Sequence, residues 1–309
     1  LTASKLAMYA HVLATTAREV SAAMFLPTKD GPFLTTTTSN LLRDRNRAFM
    51  KRTLLYIIGV MLLFSACSTQ IDEDQRLTYV KPAAVGKNVL LVDFTGQRCI
   101  NCPTASHEIE KIQEQYSADT VIAVGMHSGP LGFRGNAKTV GLSTTTGDNY
   151  YRQWNVEYQP QGVIDYLGKS DYTAWGGIVH QQLKQTAPLN IKIDAKTNGT
   201  SGSGSVSLEG LDGNIQGKLQ LWIVEDSITA LQMMPDGTTN RNYLHMHVFR
   251  TAVNGEAGEA VNVKEGETTT INFSTDFAAT WVPRHLWLIA FVYNDRGVLQ
   301  VKRAAFKAN

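Results

Sequence analysis

Two cysteines three positions apart are the side chains of this sequence best suited to chemistry. Cys99 and Cys102 stand in the segment Arg98-Cys99-Ile100-Asn101-Cys102-Pro103. Such a pair can close into a disulfide, which either persists as a structural bond or exchanges with the thiols of a partner. The chemistry in question is therefore thiol–disulfide exchange, and the sequence leaves both uses of the pair open.

A zinc site is the other role that a Cys-x-x-Cys pair can serve. A structural zinc ion takes four ligands, and the chain has no second such pair. His107 and His127 could complete only an irregular site. His245 and His247 would place two imidazoles on one face of a strand, but no third ligand is in view. We therefore predict no metal site.

The residues around the pair predict the elements that position it. An apolar run from Asn88 to Gly96 is typical of a strand buried on both faces. A short turn leads to Cys99, and Pro103 suits the first turn of a helix that continues through Ile112. Residues 120–126 form the next strand candidate. This order puts Cys99 at a helix amino terminus, where exposed N–H groups and the helix dipole stabilise a thiolate.

This strand–CxxC–helix–strand order resembles the thioredoxin superfamily. Asp93, six residues before the first cysteine, matches the buried acid of that family, and the segment 156–164 matches the stretch that carries its cis-proline. The resemblance implies that Cys99 is the exposed nucleophile and Cys102 the resolving thiol. It also implies that Asp93 is a proton acceptor and that Pro160 is the cis-proline facing the pair.

Three features depart from the thioredoxin pattern. Arg98 replaces the aromatic residue that is usual before the first cysteine, and Ile100 and Asn101 replace the usual Gly-Pro dipeptide. Arg98 should favour the thiolate electrostatically, but the partner-binding surface is altered. Residues 129–148 are a longer insertion than a minimal thioredoxin contains.

The composition changes after residue 187. A helix predicted over Asp171–Gln185 closes the first domain, and short strands with turn signals follow. About seven strands in a stretch of this length match the strand number and size of an immunoglobulin-like sandwich. The predicted fold is thus α/β plus all-β, with a thioredoxin-like domain over 81–187 and an immunoglobulin-like β-sandwich over 188–309. The strand candidates are Asn190–Ala195, Gly204–Leu208, Gly217–Val224, His245–Val253, Thr269–Phe273, Leu286–Asn294 and Val298–Phe306.

The segment from Met50 to Cys67 has the pattern of a secretory signal. Two cations precede an apolar run over 54–64, which is too short to span a bilayer and ends in Ser-Ala before Cys67. The ending resembles the lipobox of bacterial lipoproteins, which implies a signal peptide over 50–66 and lipidation of Cys67. We expect an acidic tether over 67–80, and our hypothesis is that residues 1–49 are an over-extended leader.

The charge balance argues against a nucleic-acid partner. The chain has 29 basic and 27 acidic residues. Residues 1–66 contain eight of the basic and three of the acidic ones, so 21 and 24 remain, a net charge of −3. The basic character therefore belongs to the leader, and no nucleic-acid partner is predicted.

The whole pattern resembles one family. The lipobox, the Cys-x-x-Cys-Pro module and the motif His-x-His-Val-x-Arg-x-Ala-x-Asn-Gly at 245–255 are similar to Omp28-type outer-membrane lipoproteins of Bacteroidetes, over essentially all of 50–309. The resemblance implies a lipid-anchored protein of the outer membrane, on its surface or its periplasmic face. The acidic residues after Cys67 also resemble a surface-export signal.

Two functions of different class are open. In one, the protein is an adhesin-like or receptor-like binding protein whose disulfide is structural, and its partner is a protein or a host or extracellular ligand. In the other, it is a membrane-tethered thiol–disulfide oxidoreductase that uses Cys99 and Cys102. Neither interpretation calls for a cofactor. The sequence favours the binding protein slightly and leaves the question of enzymatic activity open.

Overall fold

The computed structural model describes residues 80–308 of the chain, which belong to one compact unit. The sequence interpretations for residues 1–49, the signal peptide 50–66, the lipidation site Cys67 and the tether up to residue 79 lie outside the described residues. In the part that is described, no helix is both long and apolar enough to cross a membrane.

Strands outweigh helices in the described residues. The three α-helices are α1 (Cys102–Tyr116), α2 (Thr145–Gln153) and α3 (Trp175–Gln182). The strands are β1 (Val85–Gly86), β2 (Val89–Thr95), β3 (Val121–His127), β4 (Gln161–Ile164), β5 (Lys169–Ser170), β6 (Thr186–Ala187), β7 (Leu189–Thr197), β8 (Ser201–Gly210), β9 (Ile215–Glu225), β10 (Ile228–Met233), β11 (Thr239–His245), β12 (Val248–Ala252), β13 (Glu259–Val263), β14 (Thr268–Asp276), β15 (Leu286–Asn294), β16 (Gly297–Ala305) and β17 (Lys307–Ala308). Single 3₁₀ turns cover Tyr172–Ala174 and Pro283–His285.

A nine-stranded sheet forms the centre of the molecule. Its order is β16-β15-β9-β12-β3-β2-β4-β5. The ninth strand, β13, pairs with the amino-terminal part of β9, residues 215–219. The pairs β2–β3 and β3–β12 are parallel, and the other ladders of this sheet are antiparallel. The boundary predicted at residues 187 and 188 falls between β6 and β7, and the sheet contains strands from both sides of it. The two halves therefore share one backbone framework.

The central sheet is buried on both faces because alternate residues enter different cores. On β2, Leu90 and Val92 face a core that they share with Trp222 and Val224 of β9. Their neighbours on β2 pack on the opposite face against α1 and α3. The alternate residues of β9 and β15 pack on that face against a second sheet of order β14-β8-β7-β17. Two layers thus cover one face of the sheet, side by side.

Strand predictions succeeded where the apolar period is strong. The strand predicted over Leu286–Asn294 has those bounds in the structure. The strand predicted over His245–Val253 is wrong, because the backbone turns at His247, whose φ is +56°, between β11 and β12. The polar strand β11 and its partner β10 form a separate two-stranded hairpin that the sequence did not indicate.

A buried ion pair connects β12 to β9, next to the contact between β12 and β3 that links the two halves of the sheet. Strand β12 enters the sheet between β3 and β9, and its Arg250 donates from Nε to Glu225 Oε2 of β9 over 2.7 Å. The side chains of Arg250 and Glu225 are 10% and 2% exposed. The other carboxylate oxygen of Glu225 accepts the N–H of Val282 at 2.8 Å. Both oxygens of this buried carboxylate are therefore satisfied.

We predict that Arg250→Met lowers the free energy of unfolding by about 3–5 kcal/mol, because it leaves a buried carboxylate without its counter-charge. Urea unfolding at neutral pH would measure the loss. The double variant Arg250→Met/Glu225→Gln should recover part of it. The exposed pair Lys264–Glu267 provides the control, and Lys264→Met should cost less than about 1 kcal/mol. Equal losses for the two single variants would contradict the prediction.

Candidate functional site

Cys99 and Cys102 form the predicted disulfide, and both residues are buried. Their Cα atoms are 5.4 Å apart, and each residue is 1% exposed. Helix α1 begins at Cys102, with Pro103 in its first turn as the sequence indicates. The interpretation of Cys99 as an exposed nucleophile does not fit this burial. The physical reason is that two segments, the insertion 129–148 and the hairpin β10–β11, pack against the loop that carries Cys99.

The first covering segment is the insertion that starts at Gly129. The N–H of Arg98 donates to the carbonyl of Leu131 over 3.0 Å. A Cβ on Gly96 would lie 2.3 Å from that same oxygen, so the close approach requires glycine at this position. On the same side, Cys99 Sγ lies 3.4 Å from the carbonyl oxygen of Gln159, and the Gln159–Pro160 peptide bond is cis. Pro160 thus stands beside the pair.

The second covering segment is the hairpin β10–β11. Gln232 donates from Nε2 to the carbonyls of Cys99 at 2.8 Å and Gly96 at 3.2 Å. The N–H of Met233 donates to the carbonyl of Gln97 over 2.9 Å. The side chain of Gln97, which is fully buried, donates in return to the carbonyl of Leu231 at 3.1 Å. These reciprocal bonds fasten the hairpin to the loop that carries Cys99.

Arg98 does not face the sulfur atoms as a free cation. Its guanidinium lies over the ring of Phe133, 4.9 Å from the centroid, which is a cation–π distance. Phe133 belongs to the insertion, whose backbone is ordered further by Gln97, which accepts the N–H of Leu142 at 2.9 Å. The insertion then leads into α2, capped by Thr144. The segment 129–148 is therefore a folded loop followed by the start of a helix.

Asp93 lies in a small cavity between the central sheet, α1 and the hairpin β10–β11. The cavity has a volume of about 60 Å³ and is lined by residues of β2, β3, α1 and the hairpin. Asp93 is 2% exposed, and its Oδ1 has no hydrogen-bond partner. Burial raises the pKa of this carboxyl to about 8, against a smaller opposing effect of a hydrogen bond from Thr95. Asp93 therefore carries a proton at neutral pH.

Two histidines line the same cavity. His127 of β3 and His245 of β11 have ring centroids 5.1 Å apart. Burial lowers the pKa of His245 to about 4. Burial also lowers the pKa of His127 well below its usual range, and the nearby His245 and Arg250 lower it further. Gly125 faces Asp93 in the β2–β3 register and leaves room for the cavity. Asp93, His127 and His245 are thus three buried ionisable groups of the cavity that are uncharged near neutral pH.

The two histidines that the sequence placed on one strand face both line the cavity, but they have different partners. His245 has its ring next to that of His127, whereas His247 donates its N–H to Asp226 Oδ1 at 2.7 Å, with its ring 3.1 Å from the same oxygen. Among the described residues, no three His, Cys, Asp or Glu side chains are arranged to hold a metal ion. The sequence missed the cavity roles of His127 and Gln232, because only the distant hairpin brings them together.

A family model for "Outer membrane protein Omp28" matches residues 147–309, which is more than half of the chain. The chain belongs to the Omp28 outer-membrane protein family. The Omp28 match begins within α2, so it includes the hairpin and His245 but leaves out Asp93, His127 and the two cysteines. The cavity is therefore built from both the matched and the unmatched parts of the chain.

Solved structures show what the fold is similar to. HBP35 of Porphyromonas gingivalis matches with a TM-score of 0.57 at 15% identity, over 73% of this chain and 77% of that one. At this identity the likeness concerns the fold alone. A domain of the outer membrane lipoprotein Omp28 from Porphyromonas gingivalis is 20% identical, with a TM-score of 0.29 over 40% of this chain and 91% of that one. No curated protein matches the sequence.

We predict that Asp93→Asn raises the free energy of unfolding at pH 7 by about 2–4 kcal/mol, since a buried carboxyl with a raised pKa disfavours the native state. Below about pH 4 Asp93 is protonated in both states, so the gain should vanish there. It should grow as the pH rises towards 8 and then level off. Urea unfolding over this pH range would measure it, with the exposed Asp276→Asn as control. A gain that does not depend on pH would contradict the prediction.

Proposed function

We propose that this Omp28 protein is a lipid-anchored binding protein of the outer membrane, with a thioredoxin-like module as its scaffold. The order β2, α1, β3, the cis-proline and the buried Asp93 support the thioredoxin-like interpretation of residues 81–187. The packing of β7, β8 and β14 against β9 and β15 supports a sandwich-like arrangement of the second half, which resembles an immunoglobulin-like domain in its layers. Lipidation of Cys67 supplies the anchor in this proposal.

The observation that carries the proposal is the burial of both sulfur atoms. Thiol–disulfide exchange requires an attacking thiolate to reach one sulfur of the bond. Cys99 and Cys102 are each 1% exposed beneath the insertion and the hairpin, whereas a catalytic pair needs an accessible nucleophile. We infer that the disulfide serves to hold the loop 96–99 in the shape that the two covering segments contact.

The insertion 129–148 is the surface that we assign to the partner. Its shape is fixed at both ends, because Arg134 pairs with Asp148 and Gln97 bonds to the carbonyl of Val140 at 3.1 Å. The side chain of Val140 is nevertheless 52% exposed at the loop surface. A loop that is already ordered binds a protein partner or an extracellular ligand with little loss of conformational entropy.

A thiol–disulfide oxidoreductase is the second candidate, and two observations favour it. Cys99 Sγ lies against the carbonyl of Gln159, next to the cis Pro160, and Asp93 keeps a proton at neutral pH near the same helix. In this alternative, the pair is first reduced by a thiol donor, and the Cys99 thiolate attacks the substrate disulfide and displaces one substrate thiolate. Cys102 then attacks Cys99 Sγ, which re-forms the Cys99–Cys102 disulfide and releases the second substrate thiol. Asp93 can act as the proton acceptor for Cys102 only after it has lost its own proton. The alternative requires the covering segments to move.

The reduction potential of the pair decides between the two functions. For the lipid-free protein that starts at Ser68, we expect a potential below about −300 mV, as for structural disulfides. The variant Cys102→Ser should accumulate no mixed disulfides, as should the matched control Cys99→Ser. A potential between about −120 and −230 mV, together with adducts on Cys102→Ser but not on Cys99→Ser, would establish the oxidoreductase instead.

Protease treatment of intact cells tests the face of the membrane. A receptor-like or adhesin-like role requires exposure to the outside, so we expect the protein to be cleaved on intact cells. A known periplasmic protein serves as the control, and the protease should cleave it only after the outer membrane is broken. Complete protection of this chain on intact cells would contradict the binding of an extracellular ligand. The partner would then have to be a periplasmic one.

A further inference from the structure

The hairpin β10–β11 is attached to the rest of the fold as a separate flap. Its two strands pair only with each other, as a sheet of their own. Each connection to the central sheet contains one residue in the left-handed region, Ser227 with φ +60° and His247 with φ +56°. Asp226 bonds to the backbone and ring of His247 and so ties the two connections together. Such short connections are where hinges form.

The flap covers the cavity that contains Asp93. Its own contribution to the lining includes Gln232, Tyr243 and His245, while β2 and β3 contribute Asp93 and His127. The unpartnered Oδ1 of Asp93 and Nδ1 of His127 are both buried polar atoms of this cavity wall. Opening the flap would therefore give water access to groups that the closed form leaves without a partner.

We propose that the hairpin β10–β11 is a hinged lid that seats firmly only while Asp93, His127 and His245 are all uncharged. The proposal concerns an equilibrium between a closed and an open lid, and it does not depend on which function the protein has. When the lid is open, water can solvate a carboxylate or an imidazolium in the cavity. When the lid is closed, Asp93, His127 and His245 are buried, and a charge on any of them is poorly solvated. Charge on any of the three side chains consequently favours the open lid.

Other polar groups around the cavity do not change this argument. Helix α1 contributes Ser106 and Glu110 to the lining, and Tyr243 interacts with the Ser106 hydroxyl. Arg250 is close enough to His127 to act on its pKa, but it is held by the buried Glu225. His247 also lines the cavity and is paired with Asp226.

The direction of the pH effect follows from the shifts. The pKa of Asp93 is about 8 with the lid closed and returns towards 3.8 when water enters, so rising pH favours opening until about pH 8. The pKa of His245 is about 4 when closed and returns towards 6.5 when open, so falling pH favours opening below about pH 6.5. His127 acts in the same direction as His245. The lid should therefore be most stable near pH 6.5.

Hydrogen exchange of the hairpin amides tests the lid. After correction for intrinsic exchange rates, opening of residues 228–245 should increase about tenfold per pH unit between about pH 6.5 and 8, and then level off. It should also increase as the pH falls from 6.5 towards 4. Because only the lid opens, exchange in the hairpin should depend weakly on low concentrations of urea, whereas the amides of β15 should show the slope of global unfolding.

Two uncharged polar variants should each remove one side of the pH profile. Asp93→Asn should flatten the rise between pH 6.5 and 8 and steepen the rise towards pH 4, because the Asp93 carboxyl no longer opposes the two histidines there. His245→Gln should flatten the acidic rise and leave the rise towards pH 8. The exposed residues Asp276 and His180 provide matched controls, as Asp276→Asn and His180→Gln, and should leave both sides unchanged.

Three results would overturn the proposal. One is a hairpin that exchanges with the same rate and urea slope as β15, which would mean that it opens only when the whole protein unfolds. Another is a flat pH profile in the wild-type protein. The third is a profile that Asp93→Asn and His245→Gln change no more than the control variants do.

Discussion

The contact between β3 and β12 is the constraint on which the rest of the structure depends. Val248 pairs with Gly125 in parallel register, and the N–H of Gly125 donates to the carbonyl of His247 over 2.8 Å. This short ladder converts two half-sheets into one. It also fixes where the chain leaves β11, and hence where the hairpin lies relative to Cys99. The burial of the disulfide and the formation of the cavity that contains Asp93 are both consequences of this contact between β3 and β12.

A second set of contacts supports the join from the far edge of the sheet. The N–H of Val298 donates to the carbonyl of Asp165, and the side chain of Gln300 accepts the N–H of Asn88 at 2.9 Å. Asp165 is itself fully buried and pairs with Lys87 at 2.8 Å. The first half of this Omp28 protein thus obtains partners for its buried polar groups from the second half. We infer that the 81–187 segment is poorly suited to stand alone.

The sequence indicated the local elements well and their arrangement poorly. The long apolar runs of β2, β3 and β15 predict strands because burial on both faces leaves no other pattern. Pro103 and the spacing of Asp93 and Pro160 indicated the surroundings of the cysteines for equally local reasons. In contrast, β11 is mostly polar and its partner β10 is short, so neither shows a clear alternation of apolar and polar residues. No local signal reports that a distant hairpin will cover Cys99, because that contact depends on the pairing of β12 with β3.

The position of β9 at the centre of the sheet has a consequence for how the chain folds. This strand pairs with β12, β13 and β15, all of which follow it in the chain, while β2 and β3 precede it by a long stretch. The sheet therefore closes only through pairings between residues far apart in sequence, and such topologies fold slowly. Until β15 and β16 are made, β9 lacks its neighbour on one side and the first half lacks its far-edge partners. An outer-membrane protein built in this way stays incomplete, with sheet edges unpaired, until nearly all of its chain is available, and in that interval it depends on protection against aggregation.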